Sequence, residues 1–303
     1  MAVEEQISVY EVGLRDGLQN EKAVFATADK RQLLDALIGA GLRRIELTSF
    51  VSPRWVPQLA DAETLATAVE VPDDVRLSAL VPNAKGLERA MKSGLTEVAV
   101  FLSASETHNR KNINKSIARA LDVFREIVPP ALEAGLQVRA YVSTVWGCPY
   151  EGPVDPARVV DICRRLDELG CYQISLGDTI GVGTPNQTRA IVRRLLDVLH
   201  PAKLALHMHD TRGTALANVL AAIDLGVRDF DASIGGMGGC PYAPGASGNL
   251  ATEDLVYMLE GMGFITGIDL ERLIEAGEVA ERIVGRRLPG KVHQAGPYRL
   301  RPA

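Results

Sequence analysis

The chain is poor in cysteine: the four present, Cys148, Cys163, Cys171 and Cys240, show no Cys-x-x-Cys spacing. They are too sparse for a disulfide scaffold, so a reducing cytoplasm fits best. No apolar run is long enough to span a bilayer. No basic stretch stands out either, and the formal net charge is -5, so neither nucleic acid nor a membrane surface is expected as a partner. The segment before Ile7 carries Glu4 and Glu5 and lacks the basic-then-apolar pattern of a secretory signal.

What the sequence does have is 47% hydrophobic residues arranged in a regular alternation. Strand-like runs are Ile7–Gly13, Arg44–Thr48, Arg76–Val81, Glu97–Leu102, Gln137–Thr144, Gln173–Gly177, Leu204–His209 and Asp229–Ile234. Between them lie helix-patterned segments such as Ala28–Ala40, Ala84–Ser93, Ile117–Ala134, Pro156–Leu169 and Gln187–Leu199. Strand-then-helix repetition implies parallel strands with helical crossovers, and eight such units close a (β/α)8 barrel. Glycines such as Gly41 and Gly170 end several helices as left-handed caps. A doubly wound open sheet is the alternative, but Gly13–Gly17 is too polar for the phosphate turn it requires after the first strand. The expected organisation is one domain over 1–303, with the barrel at about 6–262 and a helical extension at about 263–296. That extension would close one end of the barrel or contact a second subunit.

The chemistry gathers at the ends of strands, which in a barrel all face one mouth. His207 and His209 stand two apart at a strand end and would present two imidazoles on one face. Asp16 supplies a hard anionic oxygen and Asn249 a neutral one, a mixed set suited to Mg2+, Mn2+ or another first-row ion rather than structural zinc. Arg15 reads either as a salt-bridge partner of Asp16 or Glu46 or as a fixed cation for a developing oxyanion. Glu46 and Asp178 would be costly buried carboxylates unless they accept hydrogen bonds from Arg15, a histidine or substrate. Cys240, on a glycine- and proline-flanked loop, is a candidate acid/base or nucleophile. Asn112 and Tyr141 complete the groups near the mouth. Cys163 and Cys171 are expected in the core, Trp55 and Trp146 against loops, and His108, His200 and His293 at the surface or in packing. Such a set suits making or breaking a carbon–carbon bond beside a carbonyl.

Val12–Glu21, His207–Asp210, Gly238–Ala243 and Gly248–Asp254 closely resemble the 3-hydroxy-3-methylglutaryl-CoA lyase family of the DRE-TIM metallolyases. Thr48–Pro53, Gly147–Gly152 and Ser175–Thr179 extend the likeness over nearly the whole chain. The resemblance implies Asp16, His207, His209 and Asn249 as ligands of a divalent metal, Mg2+ or Mn2+. It implies Arg15 at the thioester enolate, Cys240 as acid/base, and Glu46, Asn112, Tyr141 and Asp178 as substrate-positioning or supporting groups. The implied reaction is a retro-Claisen cleavage of an acyl-CoA, started by Asp16 or His207 as base, in a homodimer. Leu14 replaces the proline common before Arg-Asp, and Glu106–Arg110 departs from the best-known lyases, which leaves a longer 3-hydroxy-3-alkylglutaryl-CoA open as substrate. A condensing relative of the isopropylmalate synthase kind would need further C-terminal segments, and a scaffold without activity would have no use for this residue set.

Overall fold

A computed structural model describes residues 5–239 and 248–298. Eight parallel strands close into a barrel in sequence order: β1 Ser8–Glu11, β2 Arg44–Ser49, β3 Arg76–Leu80, β4 Glu97–Ser103, β5 Gln137–Ser143, β6 Gln173–Asp178, β7 Leu204–Met208 and β8 Asp229–Ala232. Helices α1 Thr27–Gly39, α2 Ala62–Ala68, α3 Ala84–Met91, α4 Glu106–Ile113 and α5 Ile117–Glu133 cover the first half. Helices α6 Pro156–Glu168, α7 Pro185–Leu196, α8 Ala215–Ile223, α9 Thr252–Gly261, α10 Leu270–Val284 and α11 Lys291–Ala295 follow. Local chemistry sets their ends. Asn83 Oδ1 accepts from Gly86 N (3.0 Å) to start α3, Asp155 and Pro156 open α6, and Thr184 with Gln187 forms a capping box on α7.

The (β/α)8 barrel read from the sequence is the fold observed, with strand ends shifted by one or two residues. The short helices α2, α4 and α11 were not among the helix-patterned segments. α2 and α11 are too brief for a clear apolar period, and α4 is polar throughout except for Ile113. One continuous apolar core between strands and helices runs from Ile7 to Leu288, so the C-terminal helices belong to it. Ile265 pairs with the segment before β1 (Ile7 N to Ile265 O, 3.0 Å), α10 packs on α1, and Gly290 N donates to Gly235 O (2.8 Å) near the mouth. The extension therefore runs up the outside of the barrel from one end to the other.

The interior of the barrel is polar, unlike the branched aliphatic layers common in this fold. Hydrogen bonds between strands that are not neighbours must cross it. Tyr10 on β1 donates to Glu97 on β4 (3.0 Å), and Arg139 on β5 clasps Asp231 on β8 with Nη2–Oδ1 at 2.6 Å. Arg44 on β2 reaches Asp229 on β8 (2.5 Å) and Gln173 on β6 (3.0 Å). Arg139 and Arg44 are thus each paired with an aspartate, as burial requires, while Glu97 accepts a hydrogen bond from Tyr10. Above this layer Leu80, Ala99, Tyr141 and Phe101 form a small apolar cluster separate from the outer core.

Candidate active site

The residues at the mouth are assembled from the barrel outward. After β1, Gly13–Gly17 forms one π-helical turn in which Asp16 N and Gly17 N both bond Val12 O (2.7 and 3.3 Å). The widened turn swings Arg15 and Asp16 over the barrel. Such turns recur at functional sites. Both flanking glycines are forced by contact: a Cβ on Gly13 would sit 2.7 Å from Glu11 Oε1, and one on Gly17 2.9 Å from Met237 Cε. Glu11 fixes the turn from below, accepting from Gly13 N (2.8 Å), Ile234 N (2.8 Å) and Thr252 Oγ1 (2.6 Å). Leu14 is fully buried in the outer core, so its side chain anchors the turn.

Arg15 is held at both ends. Its Nε donates to Glu46 Oε2 (2.6 Å) and Nη1 to Asp16 Oδ1 (2.5 Å), and its guanidinium lies 5.6 Å over the Tyr141 ring. Both salt-bridge partners weighed from the sequence are therefore real. Burial works against the arginine's charge, but Glu46 and Asp16 more than offset it. Burial would raise the Asp16 carboxyl; Arg15, His207, His209 and the Asn249 amide overcome this and bring it down to about 2.

His207 lies on β7 and His209 one residue beyond the strand, where it bridges to Asn249. Their rings are 5.4 Å apart, and the ligand-capable atoms of Asp16, His207 and His209 all lie within 4.8 Å of one another. A single ion with bonds of about 2 Å can touch three such atoms. Two further observations fit a cation: His209 Nδ1 and Asn249 Oδ1 are buried and have no hydrogen-bond partner among the described residues. Burial, then the neighbouring His207, lowers His209 to about 4, so it is a neutral imidazole with a lone pair to give. Asn249 Nδ2 donates to Asp16 Oδ2 (2.7 Å) and Met237 O (3.1 Å), placing the amide beside the carboxylate.

Of the other expected site residues, Glu46 and Tyr141 reach the cluster. Tyr141 stands edge-on to His207 at 6.2 Å between ring centres, and its hydroxyl is buried without a partner among the described residues. Of the partners expected for Asp178, neither Arg15 nor a histidine holds it among the described residues: its carboxylate accepts from the backbone N–H groups of Val182 (3.0 Å) and Gly183 (2.8 Å). It ties down the loop after β6. Asn112 is exposed near the end of α4. Cys240 lies outside the described residues. On either side of it, Gly239 and Gly248 meet backbone to backbone, with a Cβ on Gly248 only 2.8 Å from Gly239 C.

Trp55 corrects the expectation of packing: it is 83% exposed, whereas Trp146 is buried. Cys163 and Cys171 are core residues as expected, and burial pushes the Cys171 thiol up to about 12. Asp231, Arg139 and Glu11 were missed. The first two had a visible signal, polar or charged residues at every second position in strands otherwise read as apolar runs.

The family model described as HMGL-like matches residues 6–280. Bovine (Bos taurus) mitochondrial hydroxymethylglutaryl-CoA lyase is 51% identical over 290 residues, covering 96% of this chain and 89% of that protein. The crystal structure of the Bacillus subtilis HMG-CoA lyase superposes with a TM-score of 0.95 at 48% identity, covering 97% of this chain and 99% of the other. An HMG-CoA lyase from Acinetobacter baumannii, solved with coenzyme A and 3-methylmalate, gives 0.94 at 40% identity, covering 100% and 99% of the two chains. The chain belongs to the HMGL-like family.

Proposed function

We propose that the protein is a carbon–carbon lyase that cleaves 3-hydroxy-3-methylglutaryl-CoA to acetyl-CoA and acetoacetate with the help of a divalent cation. The observation that carries this is the convergence of Asp16, His207 and His209 beside a doubly anchored Arg15. Those three residues with Asn249 would hold Mg2+ or Mn2+, a mixed set of two nitrogens and two oxygens without thiolate suiting these ions better than structural zinc. When bound, the ion supplies Lewis acidity toward the substrate's hydroxyl and carbonyl oxygens.

The chain's own groups do the rest. Asp16 or His207 takes the proton of the C3 hydroxyl. The C2–C3 bond then breaks, its electron pair passing into the thioester enolate as the C3 oxygen becomes the ketone of acetoacetate. Arg15, fixed through Nε and Nη1, presents its other amino group to the enolate oxygen. That geometry costs no reorganisation during the reaction. Tyr141 offers its hydroxyl, unpartnered among the described residues, to a substrate oxygen, and Glu46 holds Arg15 in register. Cys240 delivers the proton to C2 that completes acetyl-CoA. Asn112 and Asp178 are assigned a supporting part around the acyl-CoA, Asp178 through the loop it fastens.

The described cysteines are buried and unbridged, which supports a reducing cytoplasm. Among the described residues no helix is long and apolar enough to cross a membrane. A homodimer is proposed on the family resemblance, and light scattering tests it. For the activity, acetoacetate is measured from 3-hydroxy-3-methylglutaryl-CoA with and without EDTA. Activity should vanish with the chelator and return with Mg2+ or Mn2+. Cys240→Ser should lower kcat by about two orders of magnitude or more while leaving metal bound. No acetoacetate from a metal-loaded protein overturns the proposal, and a C3-alkyl substrate panel then identifies a longer substrate.

A further inference from the structure

Beneath the candidate metal ligands lies a buried assembly that the reaction as written does not use. Asp231 is paired in register with His207 across β7 and β8, so both side chains enter the barrel at one level. Its Oδ2 lies 3.3 Å from His207 Nδ1 and accepts from Ser175 Oγ (2.8 Å) and Arg139 Nη1 (3.1 Å). Its Oδ1 accepts from Arg139 Nη2 (2.6 Å). Arg139 is fixed in turn by Gln173 Oε1 (2.9 Å) and by stacking 4.1 Å over Tyr10 and 4.9 Å over Tyr141. Both members of the pair are fully buried.

We propose that Asp231 is a positioning residue for the metal site: its carboxylate, locked by Arg139 and Ser175, holds the proton of His207 on Nδ1 and leaves the Nε2 lone pair facing Asp16. The inference rests on the cation assigned to this cluster under the proposed function. Neutral imidazole carries one N–H, and whichever nitrogen donates it cannot bind an ion; with Nε2 given to the ion, His207 has no lone pair left to take a proton, which makes Asp16 the base of the two candidates. Nδ1 faces a carboxylate oxygen that already accepts from two fixed donors, Ser175 and Arg139. Nε2 lies 4.0 Å from Asp16 Oδ2, on the side of the other ligands. A carboxylate behind a metal-binding histidine fixes its tautomer and ring angle and makes it a better ligand. The expensive burial of an ion pair inside the barrel thus has a purpose beyond stability, since such a pair seldom stabilises more than apolar residues of equal volume.

Removing Asp231 alone strands Arg139 as a buried unpaired charge, so two double variants are compared instead. R139M/D231N keeps an oxygen that can accept from Nδ1; R139M/D231L does not, and neither leaves a charge behind. Each Mn2+-loaded protein is titrated with a competing chelator and retained Mn2+ is read by electron paramagnetic resonance. The D231L form should hold Mn2+ about 10–100-fold more weakly than the D231N form. Equal affinities overturn the inference. A second measurement needs no variant: in the Mg2+-loaded wild-type protein, nitrogen-15 NMR should show the His207 proton on Nδ1, and a proton on Nε2 overturns the inference. The Asp16→Asn variant separates the two levels of argument. Wild-type protein that binds Mn2+ no better than this variant removes the metal site itself, whereas a tight wild-type site with equal double variants refutes only the part given to Asp231.

Discussion

Replacing Arg15 with lysine keeps the positive charge and removes the fork. The guanidinium spans Glu46 Oε2 at 2.6 Å and Asp16 Oδ1 at 2.5 Å while its remaining amino group makes no hydrogen bond among the described residues. A lysine ammonium reaches one of those carboxylates and cannot also face the enolate oxygen. Loss of that oxyanion donor should lower kcat by about 10²–10³, or about 2.7–4 kcal/mol of barrier. Losing one charge-assisted bond to a carboxylate costs about 1.5–3 kcal/mol of stability. At about 2–4 °C for each kcal/mol, Tm should fall by roughly 3–12 °C. Acetoacetate release is followed by coupling to NADH oxidation, with Tm measured by calorimetry on the same preparation. A variant that loses stability but keeps kcat within about threefold of the parent refutes the reasoning, because Arg15 would then be a structural clamp alone.

Tyr141→Phe removes a buried hydroxyl that has no partner among the described residues, so Tm should stay the same or rise slightly while kcat/KM falls about tenfold; unchanged kcat/KM would show that the hydroxyl meets no substrate oxygen. Glu253→Gln tests the clamp on the glycine turn, where Glu253 Oε2 accepts from Gly235 N (2.8 Å). Burial above all, with Glu11 and Asp254 nearby, raises its carboxyl to about 8. The folded protein therefore keeps a proton that the unfolded chain releases above about pH 4.5, and this stabilisation is full below that pH and lost as pH rises through about 8. Wild type should lose up to roughly 1.4 kcal/mol for each pH unit across that window relative to the variant, read as a widening gap in Tm; a constant gap contradicts the assignment.

Much of the fold was written locally. Alternation of strand and helix patterns, helix caps such as Asn83 and Asp155, and the terminating glycines need only neighbours in sequence, so eight units and their order could be read directly. The His-x-His pair and Arg15-Asp16 were legible for a similar reason: both lie at strand ends, and a barrel sends all such ends to one mouth. The inner layer was harder. Tyr10, Arg139, Gln173 and Asp231 sit in strands whose outward residues are apolar, and a run judged by its average hydrophobicity hides the alternate positions.

The chain by itself determined that there would be a barrel, which segments form it, and which residue types stand at its mouth, because each depends on spacing along the backbone. Only closure of the barrel decided who touches whom. It set Asp231 behind His207, gave Asp178 to backbone amides, and left Asn112 and Trp55 exposed. Those outcomes depend on distances between strands far apart in sequence. They are fixed by register and by the need to pair every buried charge, which no local pattern records.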